Sequence, residues 1–376
     1  MRSRVLTLLV LLALMALAIP GARGDEVPPP GPEASPASSG PSASPEGPAA
    51  ASPAESPAPR RTPLILSSPE MDYAPTSGIW ISDTDNGRIV YLKNMEGEGY
   101  YALGLAGRGL GRFLKPEQIW VDVEGRIYVA DRGNNRVVRM DDLRGAGWVE
   151  TTGLAEPTGV AAHGDRIFIS DTGADRILVY RQFGGEPVAV LSDPKIRQPG
   201  HLWLDLEGNL YVVAGDDPPG GRVVRIPVNL DAPPSQWQVY EGSGLEGSGF
   251  APSQVVVTSR GMFLVDRSGE RLVRVDDFTG RDARDLGGYG TGSGRFVAPQ
   301  GLSQDEQERI YVADSGNDRI VRVDDIQGRG WTVYAPAESA RSLRGPRSVY
   351  VWSPRPPKPK PSPSPSPKKK QDDGVW

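Results

Sequence analysis

The protein has 376 residues, a formal net charge of −5 and no cysteine. A chain without cysteine has no disulfide framework, no zinc–cysteine site and no thiol nucleophile, and a core of this length does not need disulfides. The acidic balance of the globular part also argues against a nucleic-acid partner.

Residues 1–24 have the pattern of a secretory signal peptide. Arg2 and Arg4 precede an apolar run at residues 5–19 that only Thr7 interrupts, and Pro20 and the stretch Ala22-Arg23-Gly24 follow. The run is about 15 residues long, which is shorter than a membrane-spanning helix requires. The pattern predicts export through a Sec-type signal, cleavage after Gly24 and a secreted or periplasmic protein with no transmembrane segment in the mature chain. An uncleaved N-terminal anchor is the alternative.

Two segments have compositions that cannot build a core. Pro, Ala, Ser, Gly and Glu dominate residues 25–63, and the run PRPPKPKPSPSPSPKKK fills most of residues 354–376. Both segments are predicted to be disordered spacers. The basic tail is interpreted as a solvated segment, with attachment to an anionic envelope polymer or membrane surface as the alternative. The short apolar runs of residues 64–353 are typical of an all-β domain.

An internal repeat runs through residues 64–353. The block IYVADRGNNRVVRMDD returns in five variants, and in every copy an Asp is followed five positions later by an Arg. The six pairs are Asp83 and Arg88, Asp131 and Arg136, Asp171 and Arg176, Asp217 and Arg222, Asp266 and Arg271, and Asp314 and Arg319. Their spacing of roughly 40 to 50 residues is the length of one propeller blade. We therefore predict a six-bladed β-propeller of four-stranded antiparallel blades.

Each repeat block has the residue types of a β-hairpin. The apolar run before the Asp and the β-branched run after the Arg predict two strands, and the Gly/Asn pair between them is expected to supply the positive φ of a tight turn. The Asp is expected to accept hydrogen bonds from the turn amides, and the Arg to bridge to the Asp or to a neighbouring blade. These pairs are interpreted as structural, because a catalytic group needed once would not recur in every unit.

Other recurring residues predict the innermost and outermost strands. A Pro followed three positions later by Ile, Val or Leu predicts the start of each innermost strand, at Pro116, Pro157, Pro199, Pro252 and Pro299. Trp148, Trp237 and Trp331 begin short runs that fit outermost strands, where packing is favoured over stacking on a ligand.

Closure of the ring requires the first and last blades to pair, since two sheet edges would otherwise stay open. The first unit begins with its hairpin at Ile79, whereas Pro346 and Val349 repeat the start of an inner strand with no hairpin after it. Residues 348–352 are therefore predicted to complete the first blade, in preference to a competing strand at residues 71–74.

These motifs resemble the NHL-repeat family. The fullest match is GTGSGRFVAPQGL leading to IYVADSGNDRIVRVDD, and GLGRFLKPEQI leading to IYVADRGNNRVVRMDD is similar. The fourth unit departs from the pattern through two prolines in its turn, and the fifth through Glu270 at the second Asn position. The resemblance implies a platform for binding protein or RNA or an extracellular sensor, and similar propellers include a peptide-amidating lyase, lactonases and strictosidine-synthase-like enzymes.

The main hypothesis is a monomeric, exported, non-enzymatic binding or scaffold module, without a cofactor, whose partner is a protein or a cell-envelope polymer. The alternative is a propeller lyase or hydrolase with a metal-assisted site in the central channel. Resemblance to the lyase would imply zinc held by several histidines, but the chain has only His163 and His201. A three-histidine zinc site is therefore impossible, while calcium on carboxylates and carbonyls stays open. RNA binding would require a basic face and a cytosolic location.

The geometry of the family implies a polar ring around the channel mouth. Its six residues would be Glu117, Thr158, His201, Gln254, Gln300 and Arg347. Such a ring would hold either a small ligand or only water. The chain contains no G-x-S-x-G nucleophile motif and no P-loop, so no catalytic residue and no metal ligand is predicted.

Overall fold

A computed structural model describes residues 77–215, 221–227, 229, 231–246 and 249–353, together with the backbone of residues 65–66. The predicted signal peptide, linker and tail, the alternative strand at 71–74 and Asp217 lie outside these residues. Within the described ranges, no helix has the length and apolar character needed to cross a membrane.

The described residues form six antiparallel sheets with almost no helix. The strands of the first three blades are β1 (Ile65–Leu66), β2 (Gly78–Asp83), β3 (Arg88–Leu92), β4 (Tyr101–Leu103), β5 (Pro116–Val121), β6 (Ile127–Asp131), β7 (Arg136–Met140), β8 (Val149–Thr151), β9 (Gly159–His163), β10 (Arg166–Asp171), β11 (Arg176–Tyr180) and β12 (Ala189–Leu191). The remaining strands are β13 (Pro199–Leu204), β14 (Leu210–Ala214), β15 (Arg222–Ile226), β16 (Gln238–Tyr240), β17 (Pro252–Thr258), β18 (Gly261–Asp266), β19 (Arg271–Val275), β20 (Arg284–Gly287), β21 (Pro299–Gln304), β22 (Ile310–Asp314), β23 (Arg319–Val323), β24 (Thr332–Tyr334) and β25 (Pro346–Trp352).

The six sheets close into a ring, which confirms the predicted six-bladed β-propeller. Blades 2 to 6 each use four consecutive strands, from β5–β8 to β21–β24. The innermost strands contact one another in the order β25, β5, β9, β13, β17 and β21, and β21 contacts β25 again. Each sheet therefore packs between two neighbours, which is why strands such as β3 are buried along their whole length.

Blade 1 joins the two ends of the domain, as the sequence predicts. β25 is its innermost strand and pairs with β2, so that Val349 lies opposite Ile81. The short strand β1 pairs with β4 and adds a fifth, outermost strand that the sequence did not reveal.

The register of the strands defines two faces of the ring. In blade 2, Pro116 at the start of the inner strand lies opposite Asp131, whereas Val121 at its end lies opposite Ile127. The inner strands therefore start at the same face as the turns that link each Asp to its Arg, and we call this the motif face. The opposite face carries the short turns between the first and second strands of each blade, and we call it the turn face.

Short 3-10 turns account for the helical residues in the described ranges. Four of them link an Asp to its Arg, at Thr84–Asn86, Arg132–Asn134, Thr172–Ala174 and Ser315–Asn317. The other two are Pro194–Ile196 and Pro234–Gln236, which precede an inner and an outer strand.

Candidate functional site

Five of the six repeat pairs lie in the described residues, and each forms an ion pair. The Arg Nε lies 2.6 to 2.9 Å from the Asp Oδ2, and all five carboxylates are fully buried. In blade 2, Arg136 also donates to the carbonyl oxygens of Gly109 and Arg112, 3.0 and 2.7 Å away. The pair therefore fixes the loop that enters its own blade.

The buried Asp does not cap its turn, contrary to the expected hydrogen bonds with the turn amides. In the four 3-10 turns, no backbone N–H of the turn donates to the Asp carboxylate. Instead, Asp131 Oδ1 accepts from the N–H of Leu114, 2.7 Å away in the loop before the inner strand, and Asn134 Nδ2 donates to Oδ2 at 2.8 Å. Burial raises the pKa of Asp131, while these hydrogen bonds act in the opposite direction.

The expected positive φ is present in the turn, at the same position in five of the units. It falls on the residue directly before the Arg, which is Gly87, Asn135, Asp175, Glu270 or Asp318. Gly133 has no positive φ, but its N–H donates to the Leu114 carbonyl at 2.7 Å. A Cβ on Gly133 would lie 2.6 Å from that oxygen. The glycine of the motif is therefore required for close approach of two backbones.

The two atypical units differ in their contacts. In the fourth, the Arg222 guanidinium lies 4.0 Å from Glu241, and its expected partner is outside the described residues. In the fifth, Glu270 keeps the positive φ of the turn and its carboxylate accepts from the Ala298 N–H of the next blade.

The six residues predicted to ring the channel mouth all lie at the motif face, but at two levels. Four occupy the position directly after the strand-starting Pro, and His201 and Gln254 occupy the next position. The Glu117 carboxylate contacts Arg347 at 3.2 Å and Arg132 at 3.6 Å. Thr158 Oγ1 lies 2.7 Å from Thr172 Oγ1. A ligand role for these six residues stays a prediction.

The two histidines are at opposite faces of the ring. His201 is 6% exposed, and its Nδ1 hydrogen-bonds the Gln254 side chain. Burial lowers the pKa of His201 to about 4, so its ring is neutral at pH 7. His163 ends an inner strand at the turn face and is exposed. They therefore do not combine into one site.

A glutamine that the sequence did not single out crosses the channel. The Gln118 side chain bonds both the N–H and the carbonyl of Leu202, in blade 4, and also accepts from the N–H of Val160 in blade 3. The intervening position in blade 3 is Gly159, where a Cβ would lie 2.3 Å from the carbonyl oxygen of Gly200, so the glycine lets blades 3 and 4 approach closely. Inner strands have one unpaired edge, and Gln118 satisfies part of it.

Three aromatic side chains fill the channel nearer the turn face. Trp120 of blade 2 lies 5.6 Å from Trp203 of blade 4 and 5.1 Å from Tyr350 of blade 1, measured between ring centroids. The equivalent residue of blade 3 is the small Ala161. The indole Nε1 atoms of Trp120 and Trp203 are buried and have no hydrogen-bond partner among the described residues.

These rings form the floor of a cavity of about 1050 Å³ at the turn face, which we call the turn-face bowl. Its rim carries turn residues of several blades, including Val123 and Leu206, whose side chains are 59% and 76% exposed. None of the six residues predicted at the channel mouth lines it. The bowl depends on residues that differ between repeats, which is why the repeat pattern did not indicate it.

Carboxylates also line the bowl, and two of them, Asp122 and Asp205, accept hydrogen bonds from residues of their own turns. Asp122 Oδ1 accepts from the N–H groups of Glu124 and Arg126, and Oδ2 accepts from Arg126 Nε and the Tyr128 hydroxyl. Asp205 is bonded in a similar way. In the part of the chain that the structure covers, no three His, Asp or Glu side chains are grouped to hold a metal ion.

Neither models of protein families nor curated proteins match the chain. Solved structures do match its fold. A chain of a nidogen/laminin complex is 18% identical, with a TM-score of 0.56 and coverage of 74% of this chain and 99% of the other. A protein of unknown function from Bacteroides caccae is 12% identical, with a TM-score of 0.53 and coverage of 73% and 98%. Virginiamycin B lyase from Staphylococcus aureus with quinupristin is 14% identical, with a TM-score of 0.50 and coverage of 75% and 91%. At these identities the similarity establishes the β-propeller fold alone.

Proposed function

We propose that the protein is an exported binding module of the NHL-repeat type, without catalytic activity, and that a protein partner contacts the turn-face bowl. One observation carries this proposal: the bowl combines an aromatic floor with an exposed apolar rim. Val123 and Leu206 on that rim expose apolar surface, and its burial against a partner would be favourable by on the order of 1 kcal/mol for each residue. The proposed export rests on residues 1–24.

The composition of the bowl is that of a protein interface. The fully buried parts of interfaces are enriched in Trp and Tyr, and their rims are polar. Here Trp120, Trp203 and Tyr350 form the floor, and charged turn residues surround the apolar rim. The closed ring of blades holds these groups rigidly, which limits the entropy lost on binding.

The polar residues of the motif face favour binding over catalysis as well. Glu117 is held between two arginines, and His201 is neutral and bonded to Gln254. General acid–base catalysis needs groups that are free to exchange a proton with a substrate near neutral pH. These side chains instead satisfy one another.

The test uses the absence of native cysteine, which permits labelling at a single introduced position. A photoreactive cross-linker on Leu206→Cys probes the bowl, and the matched control is Tyr289→Cys, which is 76% exposed and precedes the inner strand of blade 6 at the motif face. After incubation with envelope and secreted fractions of the source cells, we expect protein adducts from Leu206→Cys alone, and we expect Trp203→Ala to remove them.

Other outcomes would redirect the assignment. Adducts with a glycan would replace the protein partner by an envelope polymer. No adduct from the bowl, together with turnover of a small substrate that is lost in Glu117→Gln or His201→Gln, would overturn the binding proposal in favour of a channel enzyme.

A further inference from the structure

The described chain ends at the edge of the turn-face bowl. In β25, Pro346 lies opposite Asp83 at the motif face and Trp352 lies opposite Gly78 at the turn face, so the strand runs towards the bowl. Trp352 Nε1 donates to the carbonyl oxygen of Asp122 at 2.8 Å, and the next residue, Ser353, lines the bowl. Residues 354–376 therefore begin at its rim.

The sequence that follows is rich in proline and positively charged. Residues 354–376 contain six Lys or Arg and two Asp, and proline alternates with Lys or Ser over much of residues 354–367. Proline has no N–H, so such a segment offers many carbonyl acceptors and few backbone donors. Proline-rich segments also favour an extended conformation, which lowers the entropy cost of binding in aromatic grooves.

The floor of the bowl has the complementary groups. Trp120, Trp203 and Tyr350 are neighbouring aromatic rings among the residues that line it. Pyrrolidine rings of a proline-rich segment pack against aromatic side chains of this kind. Tyr350, the third ring of the floor, lies three residues before Ser353 in the same strand.

Charge also favours this segment. Seven carboxylates and three Arg side chains line the bowl. Arg260 and Arg309, outside the lining, neutralise Glu308 and Asp305. Asp205 accepts from Asn209 and Tyr211, which carry no charge, so its negative charge is not neutralised by these contacts. The bowl is thus net negative and attracts a cationic segment.

We propose that residues 354–370 dock in cis in the turn-face bowl and compete there with the partner, an inference that rests on the proposed function of the bowl. At about 3.1 Å per residue, the first eight residues of an extended proline-rich tail reach about 25 Å, enough to enter the bowl. A short tether gives an effective concentration on the order of 1 mM, so even a weak site is substantially occupied. Docking then lowers the apparent affinity of the partner by the fraction of molecules whose bowl is filled.

Residues 25–63 provide an internal comparison. They are also rich in proline, but they carry five acidic residues and two Arg. They precede β1, the outermost strand of blade 1, and not an inner strand. Their acidic charge does not complement the bowl, which makes them a charge control for the basic tail.

The test places a nitroxide on Ser364→Cys in the full chain and follows the indole ¹⁵N–H signals of the tryptophans by NMR. Docking broadens the Trp120 and Trp203 signals more strongly than that of Trp331, which does not line the bowl and precedes the outermost strand β24 of blade 6. A nitroxide on Ser42→Cys is the matched control in the acidic segment. The combined change Arg355→Glu, Lys358→Glu and Lys360→Glu measures the broadening caused by the tether alone.

Two results together would support the proposal. The broadening from Ser364→Cys should be reduced both by the three Glu changes in the tail and by the exposed Glu306→Lys in the bowl. Cross-linking through Leu206→Cys should also rise about twofold or more in the variant with the three Glu changes, as expected when about half of the bowls are filled by the tail. Equal broadening with and without the Glu changes would overturn docking. Cross-linking that is the same in both tail variants would overturn competition and leave the proposed function intact. Broadening that responds to charge without any cross-link would support docking and contradict the proposed function.

Discussion

The side-chain amide of Gln118 in blade 2 hydrogen-bonds both backbone groups of Leu202 in blade 4, with its Nε2 2.6 Å from the carbonyl oxygen and its Oε1 2.8 Å from the nitrogen. The same Oε1 accepts from Val160 N–H at 3.2 Å. One side chain therefore links the inner strands of three blades along their unpaired edges. This link and the contacts between adjacent blades together stabilise the inner strands around the channel.

Replacing Gln118 by Leu is expected to lower the free energy of unfolding by about 3 kcal/mol, because three buried backbone groups lose their partner and each costs about 1 kcal/mol or more. Urea denaturation measures the change. The control is Gln300→Leu, at a half-buried position where an effect below about 0.5 kcal/mol is expected. Equal losses in the two variants would contradict a specific role for Gln118.

His201 makes stability depend on pH. Burial lowers its pKa from 6.5 to about 4, so the unfolded chain binds a proton in this range that the folded chain does not. Stability is therefore complete above pH 6.5 and falls towards pH 4, by up to about 3 kcal/mol. Denaturation of His201→Gln across this range should show a shallower dependence of stability on pH than the native protein, and an unchanged dependence would contradict the role of His201.

The Asp–Arg pairs are expected to stabilise the ring. Asp314→Ala leaves the guanidinium of Arg319 in its buried position without its ion-pair partner, and the expected loss is about 4 kcal/mol. Glu338→Ala removes one member of an exposed pair with Arg341, and a loss below about 0.5 kcal/mol is expected. Thermal unfolding of the two variants compares them. A small loss for Asp314→Ala would show that the pair is dispensable.

Gly→Ala changes at two glycines with ordinary φ values distinguish two reasons for a glycine, close approach of two backbones and conformational freedom of the unfolded chain. In Gly133→Ala the new Cβ meets the Leu114 carbonyl at 2.6 Å, so we expect a loss of about 2 kcal/mol from overpacking. Gly292 has open space around its Cβ position, and Gly292→Ala should raise stability by up to about 1 kcal/mol. Chemical denaturation measures the change in the free energy of unfolding of each variant, and a loss for Gly133→Ala with a gain for Gly292→Ala is the expected result.

The seven residues of β25 are expected to be essential for a closed ring. A chain that ends at Gly345 lacks the inner strand of blade 1 and exposes the edge of β2 that pairs with β25, so it should lose cooperative unfolding and aggregate. A chain that ends at Ser353 should unfold as cooperatively as the full chain, within about 0.5 kcal/mol. Circular dichroism and light scattering measure both properties. Cooperative unfolding of the shorter chain would show that another segment replaces β25.

The sequence by itself determined the number of blades, the start of most inner strands and the closure by β25. These features rest on residues that recur in every unit. Their contacts lie within one blade or with the loop next to it, as for each Asp, each Arg, each Pro and each apolar run. A repeated pattern of this kind specifies the fold without knowledge of distant contacts.

Only the tertiary structure revealed the contents of the channel and the turn-face bowl. Gln118 and Leu202 are 84 positions apart, and Gly159 between them in the ring lets blade 3 lie close against blade 4. Trp120 and Trp203 approach each other over the small side chain of Ala161. The repeats differ from one another at these positions. Whether the side chains touch depends on their sizes in three blades at the same height along the channel axis. That packing is a property of the closed ring, because no single repeat contains all of its members.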